Sequence, residues 1–126
     1  MTASDLVLVD SSGWLEYLTA GPKADAFGAY INDESPILVP AIVLYEVRKI
    51  LLLRSTKTEA DLFVSQALRQ QVANLDDKIA LSAASLSIRH QLPMADAIIY
   101  ATALAYDAEL VTSDAHFAGV SNVTLL

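Results

Sequence analysis

The first apolar run of the chain, LVLV at residues 6–9, is continuous, and it ends on a carboxylate, Asp10. A short unbroken run of branched residues is the pattern of a strand buried on both faces, as in a parallel sheet. From Ser12 or Gly13 the spacing becomes helical, through Trp14, Leu15 and Leu18, with a stop near Gly21-Pro22. The stretch KADAFGAYIN repeats that period with Phe27, Tyr30 and Ile31. Ile37-Leu38-Val39 predicts a second strand, closed by Pro40. From Ala41 to about Arg54, the residues Ile42, Tyr45, Ile50 and Leu53 return at helical intervals.

Thr58 with Asp61 three residues later resembles a capping box, opening a helix that runs to about Gln71. Val72 to Leu75 is the next strand candidate, and Asp76-Asp77 suits the N-terminus of a helix ending at His90. Met94 to Tyr106 is alanine-rich and helical, Glu109 to Thr112 is a strand, Phe117 sits in a turn, and Asn122 to Leu125 is a last strand. Strands alternating with helices predict an α/β fold, a central parallel β-sheet sandwiched by helices with right-handed crossovers. No linker or repeat divides the chain, so one domain is expected over residues 1–126.

Composition narrows the chemistry. The chain is 54% hydrophobic with a mean hydropathy of +0.42, which excludes a disordered chain. Cysteine is absent, which excludes disulfides, thiolate catalysis, Cys-ligated zinc and iron–sulfur sites. The apolar residues around Ile50–Leu53 follow Glu46, Arg48 and Lys49 too closely to span a bilayer. The start, MTASDLVLVD, lacks the basic region and long apolar core of a secretory signal, so a cytoplasmic location and no membrane association are expected. The formal charge is −7. That argues against a passive RNA-binding surface, although an acidic site can still hold phosphates once divalent cations fill it.

In parallel α/β sheets ligands bind outside the carboxyl ends of the strands. Asp10 and Asp114 each follow a strand and fall at that edge; Glu46 lies about one and a half turns into the helix after Pro40. Asp96 occupies the first turn of a helix that descends roughly 18 Å before a strand climbs back to Asp114. Asp5 and Asp107 belong to the opposite edge, and Asp25, Asp33, Glu34, Glu59 and Asp61 read as solvated or capping acids. Four carboxylates in one small pocket raise each other's pKa unless cations compensate. With no cysteine and only His90 and His116, hard Mg²⁺ or Mn²⁺ is the expected ion.

Each acid has a local reading too. Asp10 suits a helix cap, a job that Ser12 could take instead. His116 reads as a surface turn residue, or as a proton shuttle beside Asp114. Arg48, Lys49 and Arg54 read as a solvated helix face or as steering groups for phosphates. Trp14 reads as packing, and Tyr17 and Tyr45 as packing or as part of a partner surface.

The segments VDSSGWLEYL with Asp10, LYEVRKILL with Glu46, MADAIIYATA with Asp96 and LVTSDAHF with Asp114, in this order, resemble a PIN domain. More narrowly, they resemble a VapC-type toxin ribonuclease of a type II toxin–antitoxin system. The resemblance implies a PIN-like fold and a Mg²⁺- or Mn²⁺-dependent endoribonuclease. In such an enzyme Asp10, Asp96 and Asp114 hold the main metal, Glu46 binds a second metal or bridging water, and a metal-activated water attacks the phosphodiester. The products would be a 5′-phosphate and a 3′-hydroxyl. It also implies a homodimer, an RNA substrate and a cognate antitoxin, with Ser12 and Thr112 orienting ligands or water. Many relatives carry an Asn or a further Asp where this chain has Ala115 and His116, which leaves one or two metals open. The alternatives are a catalytically idle PIN-fold binding module and a PIN nuclease of RNA processing. A haloacid-dehalogenase-type phosphatase needs an acid where Ser12 stands, and a receiver domain needs a late lysine, whereas the last lysine here is Lys78.

Overall fold

A computed structural model describes residues 6–126; Asp5 lies outside them. The strands are β1 (Val7–Val9), β2 (Leu38–Pro40), β3 (Gln71–Ala73), β4 (Glu109–Thr112) and β5 (Val123–Leu125). They form one sheet in the order β3-β2-β1-β4-β5. Every pairing is parallel. The helices are α1 (Ser11–Leu18), α2 (Ala24–Ile31), α3 (Ala41–Arg54), α4 (Lys57–Ala67), α5 (Asp77–His90) and α6 (Met94–Ala105). They pack against one another mainly as α1 with α2, α3 with α4 and α5 with α6. The predicted parallel sheet flanked by helices is borne out.

The strand order sets where a ligand can enter. From β1 the chain steps outward through β2 to β3, then returns to the other side of β1 for β4 and β5. The carboxyl ends of β1 and β4 therefore flank the point where the winding reverses, and there the crossovers diverge and open a crevice. Leu8, Val9, Leu38, Val39, Leu110 and Val111 are all fully or almost fully buried, as strands covered on both faces require.

Several boundaries differ from the sequence-based expectation, and each has a local cause. The inward face of α3 is Val43, Val47 and Leu51, while Tyr45 and Leu53 are 62% and 70% exposed. This helix is apolar nearly all round, so two stripes of similar period were available and packing against α1, α4, α6 and β2 selected one. The cap of α4 is Thr56, whose hydroxyl accepts from the backbone N–H of Glu59 at 3.1 Å. The cap thus falls two residues before Thr58. Asp61 instead pairs with Arg48 and Lys57. The third strand begins at Gln71, which pairs with Leu38, and Leu75 is left exposed. Asp76 caps α5 as expected, accepting from Ile79 N–H at 2.8 Å.

Gly13 makes the start of α1 possible. A Cβ there would lie 2.6 Å from the Val9 side chain and 2.6 Å from the Phe27 ring. Both neighbours are fully buried, so neither has room to yield. Trp14 next to it is also fully buried. It meets Phe63 edge-on, with centroids 5.2 Å apart. Gly13→Ala should therefore cost about 1–3 kcal/mol of stability, read as a lower urea midpoint at unchanged m-value. An unchanged midpoint would mean that α1 can shift off β1 freely.

Candidate metal centre

Asp10 follows the central strand and is only 4% exposed. Its backbone N–H still bonds to the Val111 carbonyl at 3.2 Å, extending the β1–β4 ladder by one step. Its Oδ1 accepts from the backbone N–H of Gly13 at 2.8 Å and from Ser12 Oγ at 2.9 Å. Its Oδ2 accepts from Thr112 Oγ1, which is fully buried at the end of β4. Asp10 is thus itself the N-cap of α1. Ser12, offered above as the alternative cap, instead donates to the carboxylate. Burial pushes the Asp10 carboxyl up; the bonds from Thr112, Gly13 and Ser12 pull it back, and the Asp114 charge adds a further upward push.

Glu46 reaches the same cleft from α3, where its Oε1 accepts from Ser11 Oγ at 2.6 Å. Asp96, in the first turn of α6, and Asp114, after β4, complete the set. Asp114 is held from below, its N–H donating to Thr112 Oγ1 at 3.0 Å. Its Oδ1 caps the 3₁₀ turn Ala115–Phe117 by accepting from the His116 N–H at 2.9 Å. Thr112 therefore positions two of the four acids at once.

The cleft has a volume of about 260 Å³, and Asp10, Ser11, Ser12, Glu46, Asp96 and Asp114 line it together with Leu15, Ile50 and Ile99. All four predicted acids meet there, from four different elements, and no Lys or Arg is among the lining residues. A larger groove of about 600 Å³ between α1 and α4 has one acid, Glu59, offset by Arg69, and nothing that resembles a reactive set. Of the predicted steering groups, Arg48 is engaged by Asp61 at 2.9 Å, and Lys49 lies 5.6 Å from the centre of the Tyr45 ring.

Nothing in the sequence singles out Ser11, although VDSS offers two hydroxyls just past the strand; the first serves Glu46 and the second Asp10. His116, read above as a turn residue or shuttle, places Nδ1 3.0 Å from Asp114 Oδ1 and 3.2 Å from Asp96 Oδ2. Its spacing from Asp114 was visible, but its approach to Asp96 follows from the 3₁₀ turn.

The electrostatics match the crowding. Burial, then the neighbouring Asp114 charge and a hydrogen bond with Asp114, push the Asp96 carboxyl up to about 6, with Asp10 adding to the push and His116 opposing it. For Asp114 burial is the largest single influence and acts upward. It is outweighed by hydrogen bonds from the His116 backbone and ring and from Asp96, so the group ends below the ordinary carboxylate range. The two acids are pushed in opposite directions, Asp96 up and Asp114 down, as neighbouring carboxylates that interact strongly are. An all-oxygen carboxylate set short of compensating positive charge fits a hard divalent cation.

The arrangement defines a class: a parallel α/β protein with a carboxylate-lined site at the switch point of its sheet. The profile of the PIN domain matches residues 7–123, and the chain belongs to that family. No curated protein matches the sequence. Among solved structures, a toxin–antitoxin complex from Klebsiella pneumoniae is similar with a TM-score of 0.79 and 23% identity, over 94% of this chain and 95% of that one. VapBC2 from Rickettsia felis, bound to a DNA fragment from its promoter, is similar with a TM-score of 0.72 and 17% identity, over 96% and 97% of the two chains. VapC20 from Mycobacterium tuberculosis, described as a toxin cleaving the sarcin–ricin loop, gives 0.72 and 19%, over 91% and 95%. At these identities the likeness establishes the fold.

The Asp96 shift has a consequence for stability. A carboxyl raised from 3.8 to about 6 binds its proton more tightly folded than unfolded. Its contribution to stability is therefore greatest at low pH and is lost as pH rises through that window. In chelator-treated protein, Asp96→Asn should flatten the fall in Tm between about pH 4 and about pH 6.5. Equal slopes for the two proteins would show that Asp96 titrates normally.

Proposed function

We propose that the chain is the toxin of a toxin–antitoxin pair, an endoribonuclease that depends on Mg²⁺ or Mn²⁺. The observation that carries this reading is the convergence of Asp10, Glu46, Asp96 and Asp114 on one cleft at the carboxyl edge, with hydroxyls fixing two of them. Family membership supports a nuclease. The match over nearly the whole length of three toxin–antitoxin proteins supports the toxin role. On the same ground the expected partners are an RNA substrate, a cognate antitoxin and a second copy of the chain.

A divalent cation bound in the cleft would neutralise charge on the scissile phosphodiester and make a water nucleophilic near neutral pH. The residues to hold it are Asp10, Asp96 and Asp114, with Glu46 at the far side. Asp10 is oriented by Thr112, Ser12 and the Gly13 N–H. Burial first and then the Asp114 charge raise the Asp96 carboxyl, and a bound cation would favour its ionised form. Ser11 keeps Glu46 turned inward. Leu15, Ile50 and Ile99 form an apolar wall, which strengthens each charge interaction beside it.

Incubating the protein with defined RNAs should give cleavage in Mg²⁺ or Mn²⁺ and none in excess chelator or in Asp96→Asn. Full activity of that variant would overturn the proposal, and metal binding without cleavage of any RNA would favour an idle binding module. Thr112→Val, which removes a donor to Asp10 and an acceptor for Asp114, should weaken cation affinity about 10–100-fold, measured by calorimetric titration with Mn²⁺. Unchanged affinity would mean that the two acids hold their positions without it.

A further inference from the structure

His116 is the one cation-ligating side chain at the rim to which the reading above assigns no task. We infer that His116 is a direct cation ligand through Nδ1, joining Asp96 and Asp114 in a mixed nitrogen–oxygen set that favours Mn²⁺ over Mg²⁺. The inference rests on the cation-dependent reading of the cleft and adds both a ligand and a selectivity to it.

Three observations carry it. The ligand atoms of Asp96, Asp114 and His116 all lie within 4.8 Å of one another. Two donors bound at right angles about 2.1 Å from one ion are separated by about 3.0 Å, and Nδ1 stands 3.0 Å and 3.2 Å from the two carboxylate oxygens. The turn that carries the imidazole is also anchored. The backbone N–H of His116 donates to Asp114 Oδ1, and the next residue, Phe117, is buried against Tyr100 with centroids 6.1 Å apart. The turn therefore brings the ring to the two acids, although the ring's outer side faces solvent.

The donor's chemistry explains its use. The cleft already holds four carboxylates, and another acid beside Asp114 would add to the repulsion that crowds Asp96. A neutral imidazole adds a lone pair without adding charge. Nitrogen is a poor ligand for Mg²⁺, which keeps oxygen and water around it, whereas first-row transition ions accept imidazole readily. The ring would hold its proton on Nε2 in the bound state, leaving Nδ1 free to donate its lone pair.

Pulsed electron paramagnetic resonance of the full chain loaded with Mn²⁺ tests the ligation directly. The wild type should show coupling to a directly bound nitrogen, and His116→Ala should lose it while keeping its circular dichroism and melting profile. The ratio of Kd for Mg²⁺ to Kd for Mn²⁺, from calorimetry, should fall about tenfold or more in His116→Ala, and His116→Gln, which offers oxygen, should not restore it. Mn²⁺ binding without nitrogen coupling, or coupling that persists in His116→Ala, would overturn this inference and leave the cation-dependent reading standing. Failure of the wild type to bind Mn²⁺ while it binds Mg²⁺ would overturn this inference alone, and failure to bind either ion would overturn both.

Discussion

The hydrogen bonds that the buried Asp10 carboxylate accepts at the end of the central strand are the contacts on which the rest of the site depends. Burial alone would favour the protonated acid. Thr112, Ser12 and the Gly13 N–H counter that, and they come from three directions: the neighbouring strand, the first turn of α1 and its backbone. The same bonds fix the angle at which α1 leaves the sheet, because Asp10 caps that helix. Gly13 admits the close approach that lets its N–H reach the carboxylate. Local folding and site geometry are therefore one set of contacts, and damage to either is felt in both.

This coupling separates what the sequence made legible from what it did not. LVLV followed by Asp10 and ELVT followed by Asp114 are buried strands ending in acids, and parallel topology sends both acids to one edge. The placement of Glu46 and Asp96 needed only helix rise and the direction of each crossover. Features set by tertiary choice were harder to read. On α3 the competing stripe through Ile42, Tyr45, Ile50 and Leu53 had the right period, yet Val43, Val47 and Leu51 point inward. At α4 the pairs Thr56–Glu59 and Thr58–Asp61 were both plausible boxes, and the salt bridges of Asp61 to Arg48 and Lys57 removed it from capping. Asp10 posed a false alternative, cap or site residue, since one oxygen serves the cap while the other meets Thr112.

The histidine shows the same limit from the chemical side. Two residues after Asp114, a His is equally consistent with a solvated turn and with a site residue. The difference lies in whether the backbone curls. Here it does, because Asp114 accepts from the His116 N–H and Phe117 drops into the core. A short polar side chain closing a tight turn and an apolar residue anchoring its end are local signals. They become informative about the site only when Asp96 is known to stand opposite.

The charge of −7 finally takes a more specific meaning. With no Lys or Arg among the lining residues and Arg48 committed to Asp61, the four acids of the cleft repel a phosphate and no cationic lining side chain offsets them. On the proposed reading the acids are therefore a requirement on order: positive charge has to enter before the nucleic acid does. The raised Asp96 carboxyl, about 6, reflects its burial first and the neighbouring Asp114 charge second. On that reading, a fold that gathers four acids at the junction of β1 and β4, and orients them with Thr112, Ser11 and Ser12, is organised around a cation-filled state of the cleft.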